Sequence, residues 1–140
     1  MKNNSLSLIG KIREYANKII IKRLEEEGIK GIVPSHGDIM AVLFKYGKCT
    51  MKETAEKINR TKATITVLVD KLISLKLIQK EKSSEDNRIT YISLTKEGEK
   101  FKPIFEKISK EVNNILYKDF SVEEGKTIEN LLEKMLNNLK

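Results

Sequence analysis

Apolar side chains recur at three- and four-residue spacing through Ile9, Ile12, Ala16, Ile19, Ile20 and Leu24. That spacing predicts a helix over residues 6–27. Two glycines and a proline in "GIKGIVP", residues 28–34, end it. Ser35 with Asp38 three places on has the spacing of a capping box. A second helix is expected from there to about Tyr46, burying Ile39, Met40 and Leu43 and stopping at Gly47. Thr50 and Glu53 in "TMKE" predict a third, short helix to about Ile58 with Met51, Ala55 and Ile58 inward. "NRTK" reads as a turn, after which Thr61 caps a fourth helix to about Lys76. Two short helices joined by so tight a turn form a helix-turn-helix.

The periodicity then changes. Residues 78–82 and 89–94 read as short strands, and the polar stretch 83–88 between them exceeds a two-residue hairpin and projects as a loop. Thr95, with Gly98 three residues later, opens a long helix to about Lys118 whose stripe is Ile104, Phe105, Ile108, Val112, Ile115 and Leu116. Pro103 predicts a break near Lys102. Ser121 and Glu124 cap a last helix with an apolar face of Ile128, Leu131, Leu132, Met135, Leu136 and Leu139. The expected fold is mainly α with a small β-hairpin.

Charge narrows the function. The net charge is +7, and its distribution is uneven. Residues 1–44 hold 7 basic and 5 acidic side chains, residues 45–102 hold 14 and 8, and residues 103–140 hold 6 and 7. A basic centre between near-neutral flanks is the electrostatic footprint of a nucleic-acid binder. One cysteine, Cys49, excludes an internal disulfide, and one histidine, His36, leaves no set for a structural zinc site. No cofactor or metal is expected. No apolar run approaches the roughly 20 residues of a membrane span, and "MKNNSLSLIG" lacks a signal-peptide core. A cytoplasmic protein with no membrane partner is expected. The lone His and Cys have no third orienting group, so an enzyme is not.

At 100° per residue, Ile65, Leu68, Val69 and Leu72 share the core side of the fourth helix. Ala63, Thr66, Val67, Asp70 and Ser74 share the other side, with Arg60 and Lys62 flanking and Lys71 on the shoulder. Short side chains at a helix start let it approach base edges in a major groove. Ala63 and Val67 are natural partners for thymine methyl groups, which predicts A·T-rich half-sites, and Thr66 is expected to donate to a base or phosphate. In the loop, Arg88 offers a fork for the narrow minor groove or the backbone. Asp86, two residues away, is expected to brace it.

The stretch "TMKETAEKINRTKATITVLVDKLISLKLIQKEKSSEDNRITYISLTKEG", residues 50–98, closely resembles the winged helix-turn-helix of MarR-family transcriptional regulators. "TITVLVDKL" and the D-x-R wing leading into "SLTKEG" are its most specific parts. With one long helix before and two after, the resemblance covers nearly the whole chain. It implies a homodimeric repressor or activator that binds double-stranded DNA, and a repressor acting on a pseudo-palindromic operator is expected. Lys62, Thr64 and Thr66 match DNA-contacting positions, and Arg88 matches the wing arginine with Asp86 as its partner. Many relatives carry a basic residue where this chain has Val67, so their sequence preferences do not transfer. The implied division is an N-terminal dimerisation helix (1–34), a winged helix-turn-helix (35–98) and C-terminal dimerisation helices (99–140).

Members of that family often respond to small aromatic anions. The expected effector pocket is Ile12, Tyr15, His36, Met40 and Phe44, where the first two helices meet. Three alternatives stand beside this one. Cys49 would make the protein a redox sensor. An effector-independent architectural or RNA-binding winged helix would show little sequence preference. A protein-interaction module would need no basic wing, which this chain keeps.

Overall fold

The computed structural model describes residues 1–140. Its elements are α1 (Ser5–Glu26), α2 (Pro34–Tyr46), β1 (Cys49–Thr50), α3 (Met51–Ile58), α4 (Lys62–Ser74), β2 (Ile78–Lys82), β3 (Thr90–Leu94), α5 (Lys96–Lys100), α6 (Lys102–Leu116) and α7 (Val122–Asn138). The strands form one antiparallel sheet in the order β1-β3-β2. Mainly helical with a hairpin wing, this is the expected fold class.

Hydroxyl caps set most helix starts. Thr50, Thr61, Thr95 and Ser121 each accept the backbone N–H three residues on, at 3.0–3.2 Å. Glu53 and Glu124 return the bond to their own N-caps, completing two capping boxes. The expected break falls at Phe101, between α5 and α6, with Pro103 in the first turn of α6 where its missing N–H is harmless.

One expectation is corrected and three elements are refined. Ser35 does not cap α2. Pro34 takes the first helical position, Val33 becomes the N-cap, and the Val33 N–H donates to His36 Nδ1 at 2.9 Å. Residues 49–50 form a strand, with Cys49 opposite Ile92 and Thr50 opposite Tyr91. In α3, Met51, Ala55 and Ile58 pack against the core as expected, half-buried, and they are joined by the fully buried Thr54, whose hydroxyl donates to the Thr50 carbonyl at 2.9 Å. Finally, α4 ends at Ser74, and Lys76 adopts a left-handed φ of 63° that turns the chain into β2.

His36 makes the cap sensitive to pH. Only an unprotonated Nδ1 accepts an N–H. Burial lowers the imidazole pKa below its ordinary value, and the nearby Lys71 ammonium lowers it further. The folded state therefore prefers the neutral ring. Its contribution is complete above the ordinary imidazole range and fades as pH falls through it toward the depressed folded value. Urea titrations should show wild-type stability falling as the pH drops below about 7, through the ordinary imidazole range. His36→Ala should cost about 1 kcal/mol at neutral pH and flatten that decline. An unchanged decline in the variant would assign it to other groups.

One cluster of 17 buried apolar side chains forms the core. It crosses both expected domain boundaries, because Leu24 of α1 and Ile108 and Val112 of α6 pack with Ile39, Ile65 and Ile92. Phe44 and Phe105 pack as a tilted aromatic pair, ring centres 5.6 Å apart, between α2 and α6. Arg23 grips Glu111 with Nε–Oε2 at 2.7 Å and Nη2–Oε1 at 3.2 Å, fastening the end of α1 to α6. The chain's extremities differ. No residue of α7 is buried, and the first half of α1 is exposed, including Leu6, Leu8, Ile9 and Ile12.

Candidate nucleic-acid interface

The wing begins as backbone geometry. β2 and β3 pair from Ile78–Leu94 to Lys82–Thr90, and the Ser83 N–H then donates to the Ile89 carbonyl at 2.9 Å. Ser83 Oγ accepts the N–H groups of Glu85 and Asp86, at 3.2 and 3.3 Å. Asp86 Oδ1 accepts the Arg88 N–H at 3.0 Å. Arg88 Nε and Nη2 each reach an Asp86 carboxylate oxygen at 3.1 Å. The Arg88 side chain and backbone hold the Asp86 carboxyl below its usual pKa. The expected brace is present, and it holds a guanidinium that is 90% exposed.

On α4, Ile65, Leu68, Val69 and Leu72 are buried as expected. Ala63, Thr66, Val67, Asp70 and Ser74 are exposed, and Val67 is 70% exposed, far more than an aliphatic side chain requires. Arg60, Lys62 and Thr64 are exposed around the helix start. The Thr61 hydroxyl donates to Thr64 Oγ1 at 3.0 Å, which leaves the Thr64 proton free to donate outward. Thr66 spends its own proton on the Lys62 carbonyl at 3.0 Å, so toward a ligand it offers lone pairs and a methyl group. The expectation that it donates is corrected to this.

Lys71 does not join the group. Its ammonium lies against the α1–α2 loop, where a Cβ built on Gly31 would stand 3.0 Å from Nζ. Lys82 was missed. Side chains alternate along β2, so Ile78, Lys80 and Lys82 share the face turned to α4. Lys80 reaches Asp70 of α4 at 3.7 Å. Lys82, two residues nearer the wing tip, is exposed and in no ion pair. The period of two starting from buried Ile78 was the available signal. On the opposite face, Lys48 pairs with Glu81 and lies 4.7 Å from the Tyr91 ring centre.

A second feature is a cleft of about 810 Å³ between α1, α2 and α6, lined by Arg13, Asn17, Asp38, Phe44, Lys102 and Phe105 among others. Burial raises the Asp38 carboxyl above its usual pKa, opposed by Arg13 and Arg60. Of the five expected pocket residues only Phe44 lines this cleft. Ile12 and Tyr15 lie on the exposed half of α1, Met40 is fully buried, and His36 is spent on the α2 cap. Cys49 is buried in β1, and burial with Glu53 nearby pushes its thiol pKa up. That disfavours the thiolate a redox sensor needs. No group of three or more His, Cys, Asp or Glu side chains is placed to hold a metal, and no helix is long and apolar enough to cross a membrane.

The family model described as transcriptional regulator SarA/Rot matches residues 38–108, which run from α2 through the wing into α6. The HTH-type transcriptional repressor MdtR of Bacillus subtilis is 31% identical over 82 residues, covering 59% of this chain and 53% of MdtR. The chain thus spans about half the length of that relative. The structure is similar to that of S. aureus MepR in its DNA complex, with a TM-score of 0.87 and 26% identity over 96% of this chain and 97% of MepR. A mutant E. coli MarR complexed with operator DNA shares the fold at a TM-score of 0.83, with 18% identity over 97% of this chain and 99% of that one.

Proposed function

This chain belongs to the SarA/Rot family of transcriptional regulators, of MarR type, and on that premise we propose that it is a homodimeric repressor of pseudo-palindromic operators. One observation carries this reading: the exposed, short-chained start of α4 stands beside a wing whose single arginine is braced by Asp86 and open to solvent. A helix with such a face suits a major groove, and a forked cation suits the neighbouring minor groove. Arg60, Lys62, Thr64, Thr66, Ala63, Val67, Lys82 and Arg88 are the proposed contacts, with Asp86 as the brace. Lys71 leaves the set. Repression is favoured by the similarity to MdtR, a transcriptional repressor. The uncovered apolar faces of α1 and α7 supply the dimer contacts. The protein acts in the cytoplasm.

Effector release belongs to the same proposal. A small aromatic anion in the cleft would touch α1, α2 and α6 together, the elements that link the reading head to the dimerising ends. It changes operator affinity only by preferring one spacing of the two heads. The two α4 helices must stand roughly 34–36 Å apart to enter successive major grooves.

Selection from random duplex DNA tests the proposal. The expected product is a pseudo-palindrome with A·T-rich half-sites one turn apart, since Ala63, Val67 and the Thr66 methyl favour thymine. Absence of enrichment, or G·C-rich half-sites, would sink it. Arg88→Ala should weaken binding to every duplex and reduce the slope of log K against log salt by about one. A variant that binds like wild type would leave the wing outside the complex.

A further inference from the structure

The wing and the reading face of α4 are joined by one ion pair. Asp70 is the sole acidic residue of α4. It lies in line with Ala63, Thr66 and Val67, on the face proposed to meet DNA. Its Oδ1 is 3.7 Å from Lys80 Nζ on β2, with side chains 59% and 51% exposed. Resting on the DNA-binding reading above, we propose that Asp70 is a specificity-determining residue that withholds Lys80 from backbone phosphates and so lowers affinity for DNA of arbitrary sequence.

Affinity without base contacts grows with every phosphate neutralised. Around α4 and the wing, Lys62 and Lys82 have no acidic partner, and Arg88 is braced but open. Lys80 and Lys48 are both held by acids, Asp70 and Glu81. Nothing in the local fold requires Asp70. It is exposed, and the core side of α4 is complete without it. Lys80 sits on the strand face turned to the helix, with Lys82 following on the same face. Once Asp70 loses its charge, Lys80 becomes a second mobile cation beside Lys82. A complex locked in register by Ala63, Thr66 and Val67 keeps Lys80 beside α4 and gains little. A complex without base contacts settles wherever cations meet phosphates and gains the whole contact.

The test uses the full chain, a fluorescein-labelled duplex of random sequence, and the duplex recovered by selection. Asp70→Asn keeps the side chain's size and removes its charge. Anisotropy titrations between about 50 and 200 mM salt should show tighter binding to the random duplex by about three- to tenfold, with the salt slope steeper by about one. Operator affinity should change by less than about twofold, so the specificity ratio falls. Lys80→Ala alone should leave random-duplex binding within about twofold, and Asp70→Asn on the Lys80→Ala background should gain nothing. Random-duplex binding unchanged by Asp70→Asn overturns the proposal. So does an equal gain with Lys80 absent, which would make Asp70 a simple repulsive charge, or an equal gain on both duplexes. A folded wild-type chain that binds neither duplex at low salt removes the DNA reading itself, and this proposal with it.

Discussion

Changing Leu132 and Leu136 together to glutamate leaves a folded chain that is monomeric and has lost operator binding. The α7 helix carries Leu131, Leu132, Met135 and Leu136 on one face, continued by its C-cap Leu139, yet none of its residues is buried. Nothing within the chain covers that stripe. Its substitution therefore leaves the core of Leu24, Ile39, Ile65 and Ile92 untouched. Between two copies the same stripe gains about 25 cal/mol per Å² of apolar area covered. Four carboxylates placed in such an interface, two from each copy, cost several kcal/mol apiece if left unpaired. Association should weaken by at least about a thousandfold. Loss of the second reading head then removes the effective-concentration gain of two linked half-sites, about 10²–10⁴ in affinity. Light scattering, circular dichroism and anisotropy read the three parts separately. A variant that stays dimeric would move the interface away from α7, and a monomer with full operator affinity would remove the need for a dimer.

The α7 stripe also marks how far the chain itself is legible. Apolar spacing finds a helix face that needs burial, but not whether the cover comes from the same chain. Ile108 of α6 and Leu132 of α7 follow the same spacing, and one is buried while the other is open. Local signals fared better. The caps at Thr50, Thr61, Thr95 and Ser121 each need one hydroxyl and one backbone N–H three residues away, so sequence neighbours suffice. The Asp86–Arg88 brace is equally local, two residues closing on themselves.

Ser35 failed because Pro34 competes with it. A proline is already suited to the first helical position, which moves the cap back to Val33 and brings His36 to where a capping-box side chain belongs. β1 escaped because two residues cannot display an alternation. The orientation of Lys71 and the pairing of Lys80 with Asp70 were out of reach for a different reason. Both depend on which element lies across from a long, flexible side chain. The cleft is the extreme case: its lining comes from α1, α2 and α6, so the sequence junction of α1 and α2 found only Phe44.

Gly98→Ala should be the most destabilising single-atom addition in the reading head. Gly98 lies within α5, and a Cβ there would overlap the Leu77 carbonyl oxygen and stand 3.3 Å from Leu94 Cδ2. That carbonyl already accepts the Thr95 N–H at 3.1 Å. One step back, the Thr95 hydroxyl donates to the Lys76 carbonyl at 2.6 Å and accepts the Gly98 N–H at 3.0 Å. Residues 76–77 and 95–98 thus form a knot between the end of α4 and the start of α5. Most crowded side chains escape by changing rotamer, but here the obstacle is backbone, fixed by its own hydrogen bonds. The added methyl must push the two segments apart, at a cost of about 3 kcal/mol or more. For a chain of this size the melting temperature should fall by about 10 °C. Thr95→Val, which removes the hydroxyl's bonds without pushing backbone, should cost less, about 1–2 kcal/mol. The knot also sets how the wing leaves the recognition helix. Gly98→Ala protein that stays folded should therefore bind operator more weakly than Thr95→Val protein, although neither residue faces DNA. If Gly98→Ala melts within about 2 °C of wild type, the close approach to Leu77 is absent in solution, and the knot does not position the wing.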